Sequence, residues 1–100
     1  MAVIGKDIKQ PEEVLDWDVD WGEQWMPEGD SVNFVDEVVR LLSGPDTPPL
    51  EVIRVDNTTT VSKAWIGGGA HGSRWRVQLR CTTVFGRVKE AEFDIAVKEV

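Results

Sequence analysis

Three aspartates stand at alternate positions in the segment DWDVDW, residues 16–21. Carboxylates at positions 1, 3 and 5 open a calcium loop, which also needs glycine at position 6 and a bidentate glutamate at position 12. Counted from Asp16, these two places hold Trp21 and Pro27. An extended segment also separates Asp16 from Asp20 by about 13 Å at ~3.3 Å per residue. The spacing therefore does not predict a calcium site.

The other reactive residue types do not form a catalytic pattern. The chain has one histidine, His71, and one cysteine, Cys81, too few ligands for a zinc site within one chain. Cys81 alternates with apolar neighbours, which predicts a buried thiol and not a nucleophile. The segment GGGAHG matches G-x-G-x-x-G, but a strand pattern follows where a dinucleotide site needs a helix. We expect no enzyme activity, no cofactor, no metal and no small-molecule substrate.

Composition narrows the class of protein further. The 100 residues are 41% apolar and 29% charged, which is typical of one soluble globular domain. A net charge of −7 argues against nucleic acid as a partner. No stretch approaches the roughly 20 apolar residues that span a membrane. The N-terminal segment has no hydrophobic region of a secretion signal, so we expect synthesis and folding in the cytoplasm.

Charge is divided unevenly along the chain. Residues 1–50 hold twelve acidic and three basic residues, a formal charge of −9, whereas residues 51–100 carry +2. No acidic residue lies between Asn57 and Lys89. Two interpretations follow: the halves pair inside one domain, or the chain docks head to tail onto another copy of itself.

Strict alternation of apolar and polar residues predicts most of the fold. Residues 61–66 are predicted as a further strand, and the alternation occurs in residues 14–21, 50–56, 73–81 and 89–100. The last two runs surround a glycine and predict a β-hairpin. If its turn centres on Gly86, Arg80 lies opposite Glu92 and Gln78 lies opposite Asp94. Trp17, Trp21 and Trp75 fall on the faces that we expect to form the core.

Two segments are harder to assign. Residues 31–42 show both helical and strand spacing, and their four valines favour two short strands over a helix. Residues 1–13 contain few apolar residues and are interrupted by Gly5 and Pro11, which predicts an extended N-terminal arm. We therefore predict an all-β, immunoglobulin-like antiparallel β-sandwich over residues 14–100 that follows this arm.

Candidate interface residues come from the exposed positions of this arrangement. Asp16, Asp18 and Asp20, here called the acidic stripe, have no evident counter-charge in the sequence nearby, and a basic neighbour from another subunit is one explanation. Trp25 and Met26 lie together in a loop, where Trp25 either anchors a partner or folds back onto the sandwich. Ile8 is the candidate contact in the N-terminal arm.

Several short motifs occur in a familiar order. They are PEEVLDWDVDW, EGDSV, VSKAWIGGGAHG and SRWRVQLRCTTVFGRVKEAEFDIAV. In this order the sequence resembles the small fibre–tail adaptor proteins of tailed bacteriophages. The residues that carry the likeness are Asp20, Trp21, Gly29, Asp30, Ser31, Val32, Trp65, Ile66, Gly68, Gly69, Gly72, Thr82, Thr83, Gly86 and Arg87. Residues 33–56 depart most from that pattern.

The resemblance implies a non-enzymatic virion protein with an immunoglobulin-like fold. It would be present in several copies on the phage tail, made in the bacterial cytoplasm, and would join the tail to its fibres. Its partners would be other tail or fibre proteins and copies of itself. The alternatives are a head–tail completion or tail-tube subunit, and a carbohydrate- or receptor-binding module that uses Trp25.

Overall fold

Seven strands and one short helix make up the fold. The computed structural model describes residues 3–99, so the ends of the expected arm and sandwich, Met1, Ala2 and Val100, lie outside the described residues. The strands are β1 (Val3–Lys9), β2 (Leu15–Asp20), β3 (Val32–Ser43), β4 (Leu50–Asn57), β5 (Val61–Gly68), β6 (Arg74–Thr83) and β7 (Val88–Val97). The helix α1 (Trp21–Gln24) follows β2 directly. No helix in residues 3–99 is long and apolar enough to cross a membrane.

The strands form two sheets that pack face to face. One sheet has the order β1-β7-β6-β3 and the other the order β2-β5-β4. Neighbouring strands are antiparallel, except that β1 runs parallel to β7. The prediction of an all-β sandwich is thus confirmed, whereas its immunoglobulin-like character stays a prediction.

The alternating residues of β6 and β7 supply the centre of the core. Val77, Leu79 and Cys81 in β6 are fully buried, as is Phe93 in β7. Polar residues between them face outward, so the alternation in the sequence identifies these two strands directly. The predicted burial of Cys81 is confirmed, and burial raises the pKa of its thiol to about 11. The thiol therefore stays protonated at neutral pH, unlike a catalytic nucleophile.

An aromatic stack joins the two sheets. The ring of Trp17, in β2, lies parallel to that of Phe93, in β7, with a 4.6 Å separation between ring centroids and a 6° angle between planes. Such stacking adds to the apolar area that each ring buries. A Cβ atom at Gly5 would lie only 2.7 Å from the Trp17 ring, so glycine allows β1 to pass beside the stack.

The N-terminal segment differs from the expected unpacked arm. Residues 3–9 form β1, which extends the first sheet beside β7. Lys9 ends this strand fully buried, and its ammonium group donates to the backbone carbonyls of Gln10, Pro11 and Gly68 at 2.8, 3.0 and 2.6 Å. Burial lowers the pKa of Lys9, and the carboxylate of Glu13 partly opposes this effect. Because Gly68 belongs to the other sheet, Lys9 holds the segment onto the sandwich.

The segment 31–42 forms one strand and not the two short strands that were expected. β3 is continuous over twelve residues, with register shifts between Val32 and Phe34 and between Leu41 and Ser43. The shifts bend the strand near its ends but leave its centre paired with β6. β-Branched residues therefore decide the secondary structure here, in spite of the helical spacing.

The β6–β7 hairpin is present, but its register differs from the prediction by two residues. Arg80 lies opposite Glu90, Gln78 opposite Glu92, and Arg76 opposite Asp94. The turn is therefore centred on residue 85 and not on residue 86. Hydrogen bonds between the strand ends set this centre, since the Thr83 amide donates to the Arg87 carbonyl at 2.8 Å.

A buried carboxylate ties the loop before β3 to the tip of this hairpin. The side chain of Asp30 is fully buried and accepts backbone hydrogen bonds from Ser31 at 2.9 Å and Phe85 at 3.1 Å. Its second oxygen accepts from Arg87 Nη1 at 3.1 Å. Burial raises the pKa of Asp30, but the hydrogen bonds from Thr83 and these donors outweigh burial and hold the pKa below its ordinary value.

Truncating the stacked ring in the core should destabilise the protein strongly. Because Phe93 is fully buried, Phe93→Ala loses its transfer energy and leaves a cavity, a cost of about 3–5 kcal/mol in the free energy of unfolding. Urea unfolding monitored by tryptophan fluorescence measures this cost. The control is Phe85→Ala, because Phe85 is 66% exposed and its loss should cost less than about 0.5 kcal/mol. Equal midpoints for the two variants would contradict the packing described.

Replacing the buried carboxylate should lower stability in a pH-dependent way. A carboxyl whose pKa is depressed by folding adds stability above its unfolded pKa, about 3.9, and loses it as the pH falls through the lower folded value. We therefore expect wild type and Asp30→Asn to melt at clearly different temperatures near neutral pH, and the difference to shrink below about pH 4. Thermal melting by circular dichroism across this range measures the effect.

The matched control for this experiment is Asp46→Asn. Asp46 is exposed in the loop between β3 and β4, where its carboxylate accepts from the neighbouring Thr47 hydroxyl at 3.1 Å. This substitution should leave the melting temperature nearly unchanged. An Asp30→Asn protein as stable as wild type near neutral pH would show that the buried carboxylate does not hold the loop and hairpin together.

Candidate docking surfaces

The acidic stripe has a counter-charge in its own fold, contrary to the expectation. β2 pairs antiparallel with β5, and this register places Lys63 beside two of the aspartates. Its ammonium group lies 3.5 Å from an oxygen of Asp16 and 3.9 Å from one of Asp18. The sequence gives no sign of this, because the lysine is more than forty residues away. One ammonium group of the same chain therefore serves two of the three carboxylates.

The third aspartate of the stripe has a local structural role. Asp20 is the N-cap of α1, and its carboxylate accepts a hydrogen bond from the Glu23 amide at 3.0 Å. This contact satisfies one of the free amides of the first helical turn. The three aspartates therefore do not act as one group, and residues 3–99 contain no cluster of three or more residues that could hold a metal ion.

The Trp25–Met26 pair is folded back against the sandwich. Met26 is only 6% exposed and belongs to the core, and Trp25 is half-buried and packs against that core. The amides of both residues donate to the carbonyl of Trp21, at 3.0 and 2.7 Å. Of the two interpretations of Trp25, the structure selects the one in which it caps the sandwich. The expectation of an accessible Met26 is wrong, because α1 turns the chain inward.

The outer face of the three-stranded sheet carries a compact network around Trp65. The Arg54 guanidinium lies 4.7 Å from the centre of its ring, and the indole Nε1 donates to Asp56 at 2.9 Å. Arg54 also donates to this carboxylate at 3.1 Å. The hydrogen bond from Trp65, followed by that from Arg54, lowers the pKa of Asp56. These groups satisfy one another, and alternation alone did not reveal their contact.

One arginine of β6, Arg76, likewise finds partners within the fold. Arg76 forms a bidentate ion pair with Asp94, at 2.8 and 3.1 Å, and Gln78 donates to Glu92 at 3.0 Å. The hydrogen bond from Arg76 is the main reason that the pKa of Asp94 is lowered. The expectation of counter-charges inside the hairpin holds for Arg76, whereas the predicted pairs Arg80–Glu92 and Gln78–Asp94 do not form.

One exposed site lies where β1 borders β7. Ile8, the candidate residue of the arm, is 52% exposed. It lies beside a surface depression of about 310 Å³, here called the β1 depression, which is lined by Lys6, Asp7, Ile8, Arg74, Asp94 and Ala96. The depression combines an apolar side chain with charges of both signs, a composition suited to a protein segment and not to a small molecule that must be enclosed.

A second exposed site lies at the tip of the β6–β7 hairpin. Val84, Phe85 and Val88 are 57%, 66% and 49% exposed, and they are here called the turn patch. Exposed apolar residues grouped in one place are typical of interaction surfaces. Asp30 fixes the backbone beneath them through the Phe85 amide. Sequence reasoning missed this site, although three large apolar residues near a glycine turn were a usable signal.

The two exposed sites lie at opposite ends of the same strand. Arg74 and its neighbour Ala96 border the β1 depression, whereas Thr82 pairs with Val88 of the turn patch. Eight residue steps separate Arg74 from Thr82, which is about 26 Å in a strand. A single rigid sheet therefore presents two separate contact sites.

The remaining motifs carry no further chemistry. GGGAHG joins β5 to β6 and is followed by a strand, so it does not form a dinucleotide site. Gly68 has a φ of +71°, which glycine adopts without strain. His71 is exposed, and its Nδ1 accepts a hydrogen bond from the Glu99 amide at 2.9 Å.

Comparison with known proteins identifies the family. No curated protein sequence matches the chain. A family model described as "Podophage GP4 fiber-tail adaptor protein gp77" matches residues 9–96, a range that begins at the last residue of β1 and reaches nearly to the end of β7. Two motifs that suggested such a likeness, EGDSV and TTVFGR, meet in the structure at the ion pair between Asp30 and Arg87. The chain belongs to the podophage fiber-tail adaptor family of gp77.

Proposed function

We propose that the protein is a non-enzymatic structural adaptor that joins the phage tail to its fibres, in several copies per virion. The observation that carries this proposal is the family match over residues 9–96, because it spans nearly the whole sandwich. The adaptor unit is therefore the folded domain itself and not a short peptide motif. The protein is made in the host cytoplasm and works in the assembled particle.

The geometry supports a role with two partners. An adaptor must contact the tail and a fibre together, so it needs two contact sites that do not exclude each other. The β1 depression and the turn patch meet this need, because about 26 Å of β6 separates them at ~3.3 Å per residue. The buried core between them keeps the two sites at a fixed distance.

The charged side chains support a structural role over a catalytic one. Within the described residues, the pKa of Asp94 is lowered mainly by Arg76, that of Asp56 mainly by Trp65 and then Arg54, and Asp30 is buried under four donors. Groups that are locked in ion pairs do not exchange protons near neutral pH. The thiol of Cys81 is buried and protonated. The carbohydrate-binding alternative loses its proposed anchor, because Trp25 packs against the core.

Substitutions at the two sites should disrupt different steps of tail assembly. We expect Ile8→Ser and the pair Phe85→Ser/Val88→Ser to fold normally, because all three side chains are about half exposed or more. One of the two proteins should fail to join the tail. The other should join the tail but leave it without fibres. Virions assembled with each variant, and analysed for adaptor and fibre protein by quantitative mass spectrometry, distinguish these outcomes.

The matched control is Val14→Ser. Val14 is 57% exposed and lies outside both sites, so this variant should assemble with normal amounts of adaptor and fibre. Complete particles from both site variants would contradict the two-site adaptor. An adaptor found buried within the neck or tube, away from the fibres, would select the head–tail completion or tail-tube alternative.

A further inference from the structure

β3 is the longest unpaired edge of the sandwich. It lies at the end of the four-stranded sheet, where only β6 pairs with it. Its register is regular from Phe34 to Leu41. Phe34 and Val38 on this strand are 47% and 57% exposed. A long, apolar, unpaired edge is a template for pairing with another strand, and proteins normally protect such edges.

The other three edges of the sandwich are protected. In β1 the amide of Ile8 donates to the Asp7 side chain at 2.8 Å, which occupies a backbone group that a further strand would need. In β4 the register shifts between Val52 and Arg54, and such an irregularity discourages a continuous ladder. β2 has only six residues. β3 therefore stands out as the edge that remains open to pairing.

The sequence of β3 is complementary to itself. We propose that β3 pairs antiparallel with β3 of a second copy of this chain, around a two-fold axis at Val38. In this register Val35 faces the partner's Leu41, Asp36 faces the partner's Arg40, and each Val38 faces its own copy. Glu37 faces the partner's Val39, so its charge takes no part in the match. Phe34 falls opposite the partner's Leu42 at the two ends. Each Asp–Arg pair occurs twice because of the symmetry, which is the pattern of a closed two-fold interface.

Arg40 has no ion-pair partner within its own described fold. It lies opposite Arg76 in β6, and like charges directly opposite are unfavourable. Arg76 itself is committed to Asp94, at 2.8 Å. In residues 3–99 no carboxylate lies within 4.0 Å of Arg40. Asp36 lies opposite Arg80 in β6, but no basic group in these residues lies within 4.0 Å of its carboxylate. The second copy supplies the opposite charge that Arg40 lacks, and it gives Asp36 a second basic neighbour beside Arg80.

The neighbouring registers are less favourable, which gives the pairing its specificity. In an antiparallel pair, the side chains of two opposed residues lie on the same face of the sheet. A two-fold axis perpendicular to the sheet must therefore pass through a residue position and not between two residues. An axis at Glu37 or Asp36 would bring two identical acids together. An axis at Arg40 would bring two arginines together, and an axis at Val39 would place Asp36 against the partner's Leu42. Only the axis at Val38 matches both charges.

The pairing would join two four-stranded sheets into one continuous sheet of eight strands. This pairing adds a specific contact between two copies of the chain to the proposed function. The number of copies in each virion would then be even. The pairing leaves the β1 depression free, because β1 and β3 are the opposite edges of that sheet. Its test uses the purified chain alone, so a failure there is distinct from a failure of the tail-to-fibre role, which is read from assembled virions.

A cysteine at the proposed axis tests the register directly. Residues opposite each other in an antiparallel pair have Cα atoms about 4.5–5.5 Å apart, which lies within the range for a disulfide. We therefore expect Val38→Cys to form a covalent dimer under mild oxidation, seen on a non-reducing gel. The control is Leu42→Cys, which is also exposed on β3 but would lie about 26 Å from its copy, at ~3.3 Å per residue. The native Cys81 is buried in both proteins.

Exchanging the two charges provides an independent test. Asp36→Arg and Arg40→Asp should each weaken dimerisation by about tenfold or more, since each creates two like-charge pairs across the axis. The double variant Asp36→Arg/Arg40→Asp should restore it, because the opposite charges are only exchanged. Sedimentation velocity over a concentration series measures the dissociation constants, and circular dichroism checks that each variant folds.

The charge control is Glu51→Arg, an exposed position on β4 with the same change of charge as Asp36→Arg. It should dimerise as wild type does. Dimers that cross-link through Val38→Cys and recover in the double variant support the pairing. A chain that stays monomeric at high concentration, or that cross-links equally through Leu42→Cys, overturns it. A β3 edge that binds a fibre-protein strand while the chain stays monomeric also overturns it.

Discussion

The buried carboxylate of Asp30 organises the end of the molecule that carries the turn patch. It gathers the Ser31 and Phe85 amides and the Arg87 guanidinium at one point. These donors come from parts of the chain more than fifty residues apart, and a hydrophobic contact would not specify their geometry as closely. Without this carboxylate, the two amides and the guanidinium would lose the acceptor that they share. The exposed side chains of the turn patch therefore rest on a polar centre that fixes the backbone beneath them.

Alternation made most of the strands and their inward faces predictable, because the side-chain period of a strand depends only on local geometry. Phe93 and Leu79 could be placed in the core on that basis. The partners of charged residues could not, because they depend on register. The hairpin register differs by two residues from the prediction, since the Thr83–Arg87 bond moves the centre of the turn by one. For the same reason, the contact between Lys63 and Asp16 could not be predicted, since it depends on the register of β2 and β5.

Long-range pairing also decided the N-terminal segment. Nothing local in residues 3–9 marks a strand, because Gly5 interrupts the pattern and few apolar residues are present. The segment becomes a strand because β7 offers it an edge, Gly5 makes room for the Trp17 ring, and Lys9 reaches three carbonyls. Parallel pairing between the two ends of a chain has no short-range signal. Of the candidate interface residues, Ile8 ends in an exposed position as a result of this pairing.

The uneven charge of the chain is partly balanced inside the domain. Lys63 and Arg87, from the basic half, pair with Asp16, Asp18 and Asp30, from the acidic half. This agrees with the simpler of the two interpretations of the charge division. A net charge of −7 makes copies of the chain repel one another in general. Association must then depend on the few places where matching is incomplete.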